Sequence, residues 1–224
     1  MPARNIIKQY VENGYYHIYN RGVEKRIIFQ DDKDCIVFLH YIKLYLSPVD
    51  ELLRDNVKGI RINRFISKNL SKEINLIAFA LMPNHIHLII QQFSANGIVK
   101  LMQRLTTAYV MYFNKKYKRI GALFQNTYKA IIIDTEEYLL HLSRYIHLNP
   151  FLNDSTKKFI KFSSYPYYLR DKKASWVNPS IVTDYFNSSK KDKIRNHNSY
   201  QSFVEDYKIN SEIIISNLKL ENEC

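Results

Sequence analysis

The feature that most constrains the fold is a nearly continuous apolar run, Ile74–Met82, followed at once by a second run, HIHLIIQ, over residues 85–91. An apolar segment of this length without a charge is typical of a strand that is buried on both faces. The Pro83-Asn84 dipeptide between the runs favours a turn. The two runs therefore predict a buried β-hairpin.

Other segments supply the elements around this hairpin. Residues 14–22 are short and aromatic with a glycine at each end, and residues 128–133 are β-branched, so both predict strands. Helical spacing of apolar residues, with acidic residues at two of the starts, predicts helices over about 31–46, 98–117 and 135–149. This order predicts an α+β fold with a ferredoxin-like antiparallel sheet packed with helices.

The composition changes after residue 150 toward Ser, Asn, Lys and Tyr. We therefore predict a core over residues 1–150, with an insertion at about 48–72, and a smaller, partly helical C-terminal appendage over residues 151–224. The insertion is polar and basic, and we expect a helix and a loop there.

The net charge is +12, from 33 Lys and Arg against 21 Asp and Glu. A charge this large favours a polyanionic partner, nucleic acid first and an acidic membrane surface second. No apolar run reaches the length of a membrane-spanning helix, and the first residues do not form a signal peptide. The only two cysteines are Cys35 and Cys224, which indicates a reducing compartment such as the cytoplasm.

His85 and His87 form the first candidate site. Side chains alternate along a strand, so the two imidazoles face one side and Ile86 faces the core. Two histidines placed in this way can share one metal ion. The alternative to a metal site is that the two histidines are half-exposed strand residues that hydrogen-bond to their neighbours.

Tyr145 and Asn149 form the second candidate site because residues four apart lie on one helix face. An amide oxygen suits Mg²⁺ or Mn²⁺, and a phenol can act as a covalent nucleophile once it is activated. A simple packing role is the alternative for any one of the 18 tyrosines.

The stretch from Ile74 to Ile133 contains seven Lys and Arg residues but no Asp or Glu. Aromatic residues are interleaved with these uncompensated charges, which suits single-stranded nucleic acid with unstacked bases. The alternative is that the rings on the helix of residues 98–117 belong to the core.

Four segments together resemble a known family: YHIYNRG (16–22), FALMPNHIHLII (79–90), GALFQNTYKA (121–130) and YLLHLSRYIHLNP (138–150). The chain is similar to the single-tyrosine HUH transposases of the IS200-like superfamily, most closely to the REP-associated tyrosine transposases. The resemblance implies that His85, His87 and Asn149 bind Mg²⁺ or Mn²⁺ and that Tyr145 is the nucleophile. It further implies cleavage and strand transfer of single-stranded DNA through a 5′-phosphotyrosine intermediate at hairpin-associated sites.

The partner is then expected to be single-stranded DNA with a hairpin, bound by a monomer or a homodimer associated with the nucleoid. The C-terminal appendage is a further candidate for DNA contacts. The residues predicted to contact DNA are Arg21, Lys100, Arg104, Lys115, Lys116, Lys118, Arg119, Gln125 and Lys129.

Two other functions remain open at this stage. The first is a ferredoxin-like module that binds single-stranded nucleic acid without chemistry. The second is a metal-dependent phosphodiesterase that uses water, with Tyr145 in a structural role.

Overall fold

The computed structural model describes residues 10–54, 63–151, 155–187 and 197–206. Its centre is a four-stranded sheet made of β1 (Tyr15–Arg21), β2 (Ile74–Met82), β3 (His85–Gln92) and β4 (Lys129–Ile133). The strands lie in the order β2-β3-β1-β4, and all neighbours are antiparallel. The predicted α+β fold class is confirmed.

Eight α-helices are described around this sheet. They are α1 (Asp32–Leu46), α2 (Val49–Arg54), α3 (Asn63–Ile66), α4 (Gly97–Lys116), α5 (Glu136–Leu148), α6 (Tyr165–Tyr168), α7 (Ser180–Asn187) and α8 (Tyr200–Glu205). The three predicted core helices correspond to α1, α4 and α5. The predicted insertion at 48–72 contains α2 and α3, and its residues 55–62 lie outside the described residues.

Helices α1 and α5 begin at side chains that cap free backbone N–H groups. The carboxylate of Asp31 accepts a hydrogen bond from the N–H of Asp34, and the Asp34 side chain accepts one in return. The Thr135 hydroxyl accepts a hydrogen bond from the N–H of Tyr138 at the start of α5. Both caps use residue types that the sequence already marked as helix starts.

The sheet is covered on both faces. On one face, Tyr16 and Ile18 of β1 and Leu88 of β3 pack in the core that α1 and α4 supply. On the other face, Ile89 of β3 packs in a second core that includes Ile146 of α5. Burial on both faces explains why β2 and β3 are apolar almost throughout.

Residues after position 150 contribute to the second core and to the outer edge of β2. Tyr168, Val182 and Phe203 are buried together with the apolar face of α5. The N–H of Asn178 donates to the carbonyl of Leu76 at 2.8 Å, which satisfies part of the edge of β2. The predicted division at residue 150 stays a prediction, although the two parts share this core.

A buried polar network ties α5 to β2 and α8. His147 is fully buried, and its Nδ1 and Nε2 atoms lie 2.6 Å from the Tyr200 hydroxyl and 2.6 Å from Ser164 Oγ, respectively. Ser164 Oγ in turn accepts a hydrogen bond from the N–H of Phe79 at 2.8 Å. Burial lowers the pKa of His147 to about 3, so the imidazole is neutral in this network.

None of the helices in the described part of the chain has the length and apolar character needed to cross a membrane.

We expect the substitution Tyr200→Phe to lower the free energy of unfolding by about 1–3 kcal/mol, because it leaves buried polar atoms of the network without a partner. The Tyr200 hydroxyl contacts His147 Nδ1 at 2.6 Å and donates to Ser143 Oγ at 3.1 Å. Urea unfolding measures the change.

Tyr15→Phe is the matched control, because the Tyr15 hydroxyl makes no hydrogen bond to the described residues. We expect a change below about 0.5 kcal/mol there. Equal effects of the two substitutions would contradict a role for the network in stability.

Candidate active site

His85 and His87 lie on the face of β3 that looks toward α5. They pair in register with Arg21 and Tyr19 of β1, and their ring centroids are 4.9 Å apart. Ile86 between them points into the opposite core and is fully buried. The predicted orientation of the three side chains is therefore confirmed.

A neighbouring polar group contacts the Nδ1 atom of each imidazole. His85 Nδ1 lies 2.7 Å from Asn84 Oδ1, and His87 Nδ1 lies 2.9 Å from Nε2 of His17. Neither Nε2 atom forms a hydrogen bond with the described residues. Outer contacts of this kind orient an imidazole and leave its second nitrogen available to a metal ion.

Burial keeps both imidazoles neutral. Burial, together with a smaller effect of the nearby positive charge of Arg21, lowers the pKa of His85 to about 4. Burial also holds the pKa of His87 well below its usual range, with smaller contributions from His85 and His17. A neutral imidazole at neutral pH offers the lone pair that metal binding requires.

Helix α5 brings Tyr145 to the same place. Its neighbour Ile146 is fully buried in the second core, which sets the rotation of the helix. The Tyr145 ring packs edge-on against His87, with 5.9 Å between the ring centroids. The structure thus brings together two residues that are 58 positions apart in the sequence.

Asn149 caps the C-terminal end of α5, and its backbone N–H donates to the carbonyl of Tyr145. It is 8% exposed and does not line the cavity that Tyr145 shares with the two histidines. Among the residues that the structure describes, no group of three His, Cys, Asp or Glu side chains could hold a metal ion. A third protein ligand would therefore come from another type of side chain, such as the Asn149 amide.

The cavity between these side chains has a volume of about 100 Å³. Besides His85, His87 and Tyr145, its wall contains the predicted DNA-contacting residues Arg21, Gln125 and Lys129 and no acidic side chain. The Nε atom of Arg21 is buried and has no hydrogen-bond partner among the described residues. A buried donor of this kind is suited to an anionic oxygen.

The wall also includes residues outside the predicted set, namely Tyr19, Asn20, Asn126 and Thr127. All four belong to the segments YHIYNRG and GALFQNTYKA. Membership in these segments was the signal that could have identified them. Nothing in their residue types by themselves indicated a site.

Two of the seven basic residues in the acid-free stretch are compensated by carboxylates from elsewhere in the chain. Lys100 forms a 2.7 Å ion pair with Glu73. Lys116 forms 2.7 Å ion pairs with Asp31 and with the fully buried Asp34. The expectation that these charges are uncompensated is therefore wrong for Lys100 and Lys116, because the partners lie outside the stretch in sequence.

The remaining predicted basic contacts lie away from the cavity wall. The Arg104 guanidinium donates to the backbone carbonyl of Lys68 at 2.6 Å, and Arg119 donates to Asn114 Oδ1 at 3.3 Å. Lys115 and Lys118 are exposed. Their contact with DNA stays a prediction.

Four aromatic rings of the same stretch make contacts within the protein. Tyr109 and Phe113 are buried in the first core, and the Tyr112 and Tyr117 hydroxyls donate to Asp34 at 3.0 Å and 2.8 Å. These four rings on or next to α4 are therefore structural, as the alternative interpretation held.

Comparisons with known proteins agree with the predicted family. Residues 50–149 match the family model described as "Transposase IS200 like". No curated protein matches the chain.

Two solved structures show a distant similarity to this chain. A REP-associated tyrosine transposase bound to a REP hairpin is 12% identical, covering 77% of this chain and 90% of its own, with a TM-score of 0.41. A tRNA(His) guanylyltransferase from Saccharomyces cerevisiae is 9% identical, covering 90% of this chain and 81% of its own, with a TM-score of 0.38. At TM-scores below 0.5, neither similarity establishes a relationship.

The family match includes β2, β3, α4, β4 and α5, and therefore His85, His87, Tyr145 and Asn149. Residues 50–149, a little under half of the chain, are thus similar to the IS200-like transposases.

Proposed function

We propose that this chain is a metal-dependent nuclease and strand transferase for single-stranded DNA, of the REP-associated tyrosine transposase branch. It acts at hairpin-associated sites and forms a 5′-phosphotyrosine intermediate. The observation that carries the proposal is the meeting of Tyr145, His85 and His87 in one cavity whose charged lining residues, Arg21 and Lys129, are basic.

The histidine pair is suited to hold a divalent ion, Mg²⁺ or Mn²⁺. Both imidazoles are neutral, and the Nε2 atom of each forms no hydrogen bond with the described residues. Asn149 is the proposed third ligand, one helical turn beyond Tyr145. When bound, such an ion supplies a Lewis acid that neutralises charge on the scissile phosphate.

Tyr145 is the proposed nucleophile. Its phenolic oxygen forms a bond to phosphorus while the bond from phosphorus to the 3′ oxygen breaks, and the 3′ oxygen gains the proton that the phenol loses. The phosphodiester bond is exchanged for another, so strand transfer to a new 3′ hydroxyl needs no ATP. Arg21 and Lys129 are placed to bind the phosphate oxygens during this exchange.

The histidines and the tyrosine come from the same chain, which supports a site that one monomer completes. A transposase acts on DNA, so we place the protein with the nucleoid in the cytoplasm. A binding module without chemistry would use the same cationic cavity, and the experiments below distinguish it.

We expect Tyr145→Phe to abolish the covalent protein–DNA adduct and to leave hairpin binding nearly unchanged, because only the nucleophilic oxygen is removed. Labelled hairpin oligonucleotides with Mg²⁺ on denaturing gels measure the adduct, and native gels measure binding. Wild-type protein that binds but forms no adduct with DNA flanking its gene would favour the binding module. Cleavage without an adduct would favour the water-using phosphodiesterase.

We expect His85→Ala and His87→Ala to remove adduct formation and to weaken Mn²⁺ binding measured by calorimetry. Asn84→Ala removes the 2.7 Å contact to His85 Nδ1, together with the 3.2 Å hydrogen bond that the Asn84 amide donates to the carbonyl of Lys25. It should therefore cost about 10–100-fold in metal affinity. Full cleavage in the presence of a chelator would contradict the metal assignment.

Lys129→Gln should weaken DNA binding and reduce the slope of log K against log salt by about one, since one phosphate contact is lost. Lys100→Gln is the matched control, because its ammonium is engaged by Glu73 at 2.7 Å. We expect no change of slope in the control. Equal slopes for wild type and Lys129→Gln would exclude Lys129 from the interface.

A further inference from the structure

His17 is a fully buried histidine on β1 that lies outside the set of predicted site residues. It belongs to the segment YHIYNRG and pairs in register with Ile89 of β3. Because side chains alternate along both strands, His17 lies on the same face of the sheet as His87, which pairs with Tyr19. The two histidines are therefore diagonal neighbours across the β1–β3 pair.

The rings of these two histidines are in direct contact. His17 Nε2 lies 2.9 Å from His87 Nδ1, which is the distance of a full hydrogen bond. The rings are nearly parallel, with 5.2 Å between their centroids and 17° between their planes. Both side chains are buried. Burial protects the hydrogen bond from competing water, so each ring limits the orientation of the other.

His17 is placed behind the candidate active site rather than in it. The described residues that line the cavity of His85, His87 and Tyr145 do not include His17. The Nε2 atom of His17 is turned toward His87 Nδ1. His17 therefore does not contact a metal ion or DNA bound in the cavity, and it can act on the site only through His87.

The direction of the hydrogen bond between the two rings decides whether His87 can bind a metal ion. A neutral imidazole has one N–H and one lone pair. If His87 Nδ1 donates to His17 Nε2, the Nε2 atom of His87 keeps its lone pair for the ion. If His17 Nε2 donates instead, the proton of His87 lies on Nε2 and blocks metal binding there.

His85 is already held in the form that metal binding needs. Its Nδ1 lies 2.7 Å from Asn84 Oδ1, and an amide oxygen can only accept a hydrogen bond. The Asn84 amide nitrogen donates to the carbonyl of Lys25 at 3.2 Å, which fixes the end of the amide that faces His85. An ion shared by the two histidines requires the same form of His87, with the proton on Nδ1.

We infer that His17 is the positioning residue of His87: its Nε2 atom accepts the hydrogen bond from His87 Nδ1–H and so keeps His87 Nε2 available to the metal ion. The inference rests on the proposed function, in which His85 and His87 hold a divalent ion. The histidine of the segment YHIYNRG thereby contributes to metal affinity without touching the ion.

The first measurement is the position of the proton on His87 in the unaltered protein without metal. Nitrogen NMR with isotope-labelled histidine distinguishes a protonated ring nitrogen from one with a lone pair, and the signals that disappear in His87→Ala assign the residue. We expect Nδ1 of His87 to carry the proton. A proton on Nε2 overturns the inference, and this result needs no variant of His17.

The second measurement is Mn²⁺ affinity by calorimetry in two variants of His17. His17→Leu removes the acceptor, and we expect it to bind Mn²⁺ about 10–100-fold more weakly, as when an outer contact of a metal-binding histidine is lost. His17→Gln supplies an amide oxygen that can accept the same hydrogen bond, and we expect it to recover most of that loss. Hairpin binding in the Tyr145→Phe background with a chelator present should be the same for both.

Ile89→Val is the matched control, because Ile89 is fully buried opposite His17 and has no polar side-chain group. It removes a buried methyl group and so lowers stability through packing alone. Thermal unfolding measures the stability of each variant. The control should leave the Mn²⁺ affinity and the position of the proton on His87 unchanged.

The role of His17 is overturned if folded His17→Leu binds Mn²⁺ as tightly as the unaltered protein. It is also overturned if Ile89→Val or His17→Gln loses as much affinity as His17→Leu, because packing or ring shape would then explain the loss. If neither variant of His17 folds, the position of the proton on His87 decides.

The same experiments separate this role from the proposed function. A loss in His17→Leu that His17→Gln restores, without any adduct between the unaltered protein and hairpin DNA, supports the role of His17 and contradicts strand transfer. Adducts that form normally while His17→Leu keeps full Mn²⁺ affinity contradict only the role of His17. If the unaltered protein binds no Mn²⁺, the metal assignment and the role of His17 are both wrong.

Discussion

The pairing register between β1 and β3 is the constraint on which the site depends. Because side chains alternate along a strand, this register places Arg21 beside His85 and Tyr19 beside His87 on one face. A slip of one residue would turn both histidines into the core behind α1 and α4. The buried Ile86 and Leu88 oppose such a slip, since it would take them out of the first core and turn them toward the side that now holds the two histidines. The burial of Ile86 and Leu88 on one face of β3 thus determines where His85 and His87 lie on the other face.

The position of Tyr145, the proposed nucleophile, depends on a second constraint, the packing of α5 on the sheet. Ile146 packs into the second core, and His147 is hydrogen-bonded to Tyr200 and Ser164 from the C-terminal region. Tyr145, next to these anchored residues, then lies against His87. The C-terminal residues are therefore part of what orients α5 and Tyr145.

Charge is partitioned in space in a way that composition does not reveal. Glu73, Asp31 and Asp34 form ion pairs with Lys100 and Lys116, whereas Arg21 and Lys129 are the basic residues in the wall of the candidate active-site cavity. The larger cavity between α4 and the segment of residues 122–128 has no charged side chain among the residues that line it.

The sequence by itself determined the strands, the main helices, the α+β class and the similarity of residues 50–149 to the IS200-like transposases. Alternation, helical spacing and capping residues are local properties, and motifs such as HIH and YIHLN are contiguous. It also placed His85 and His87 on one side of a strand. The tertiary structure alone decided that Tyr145 meets His87, that His147 is buried and that Lys116 is engaged in ion pairs. These facts depend on contacts between residues far apart in the chain, and such contacts are set by how the cores pack rather than by any local pattern.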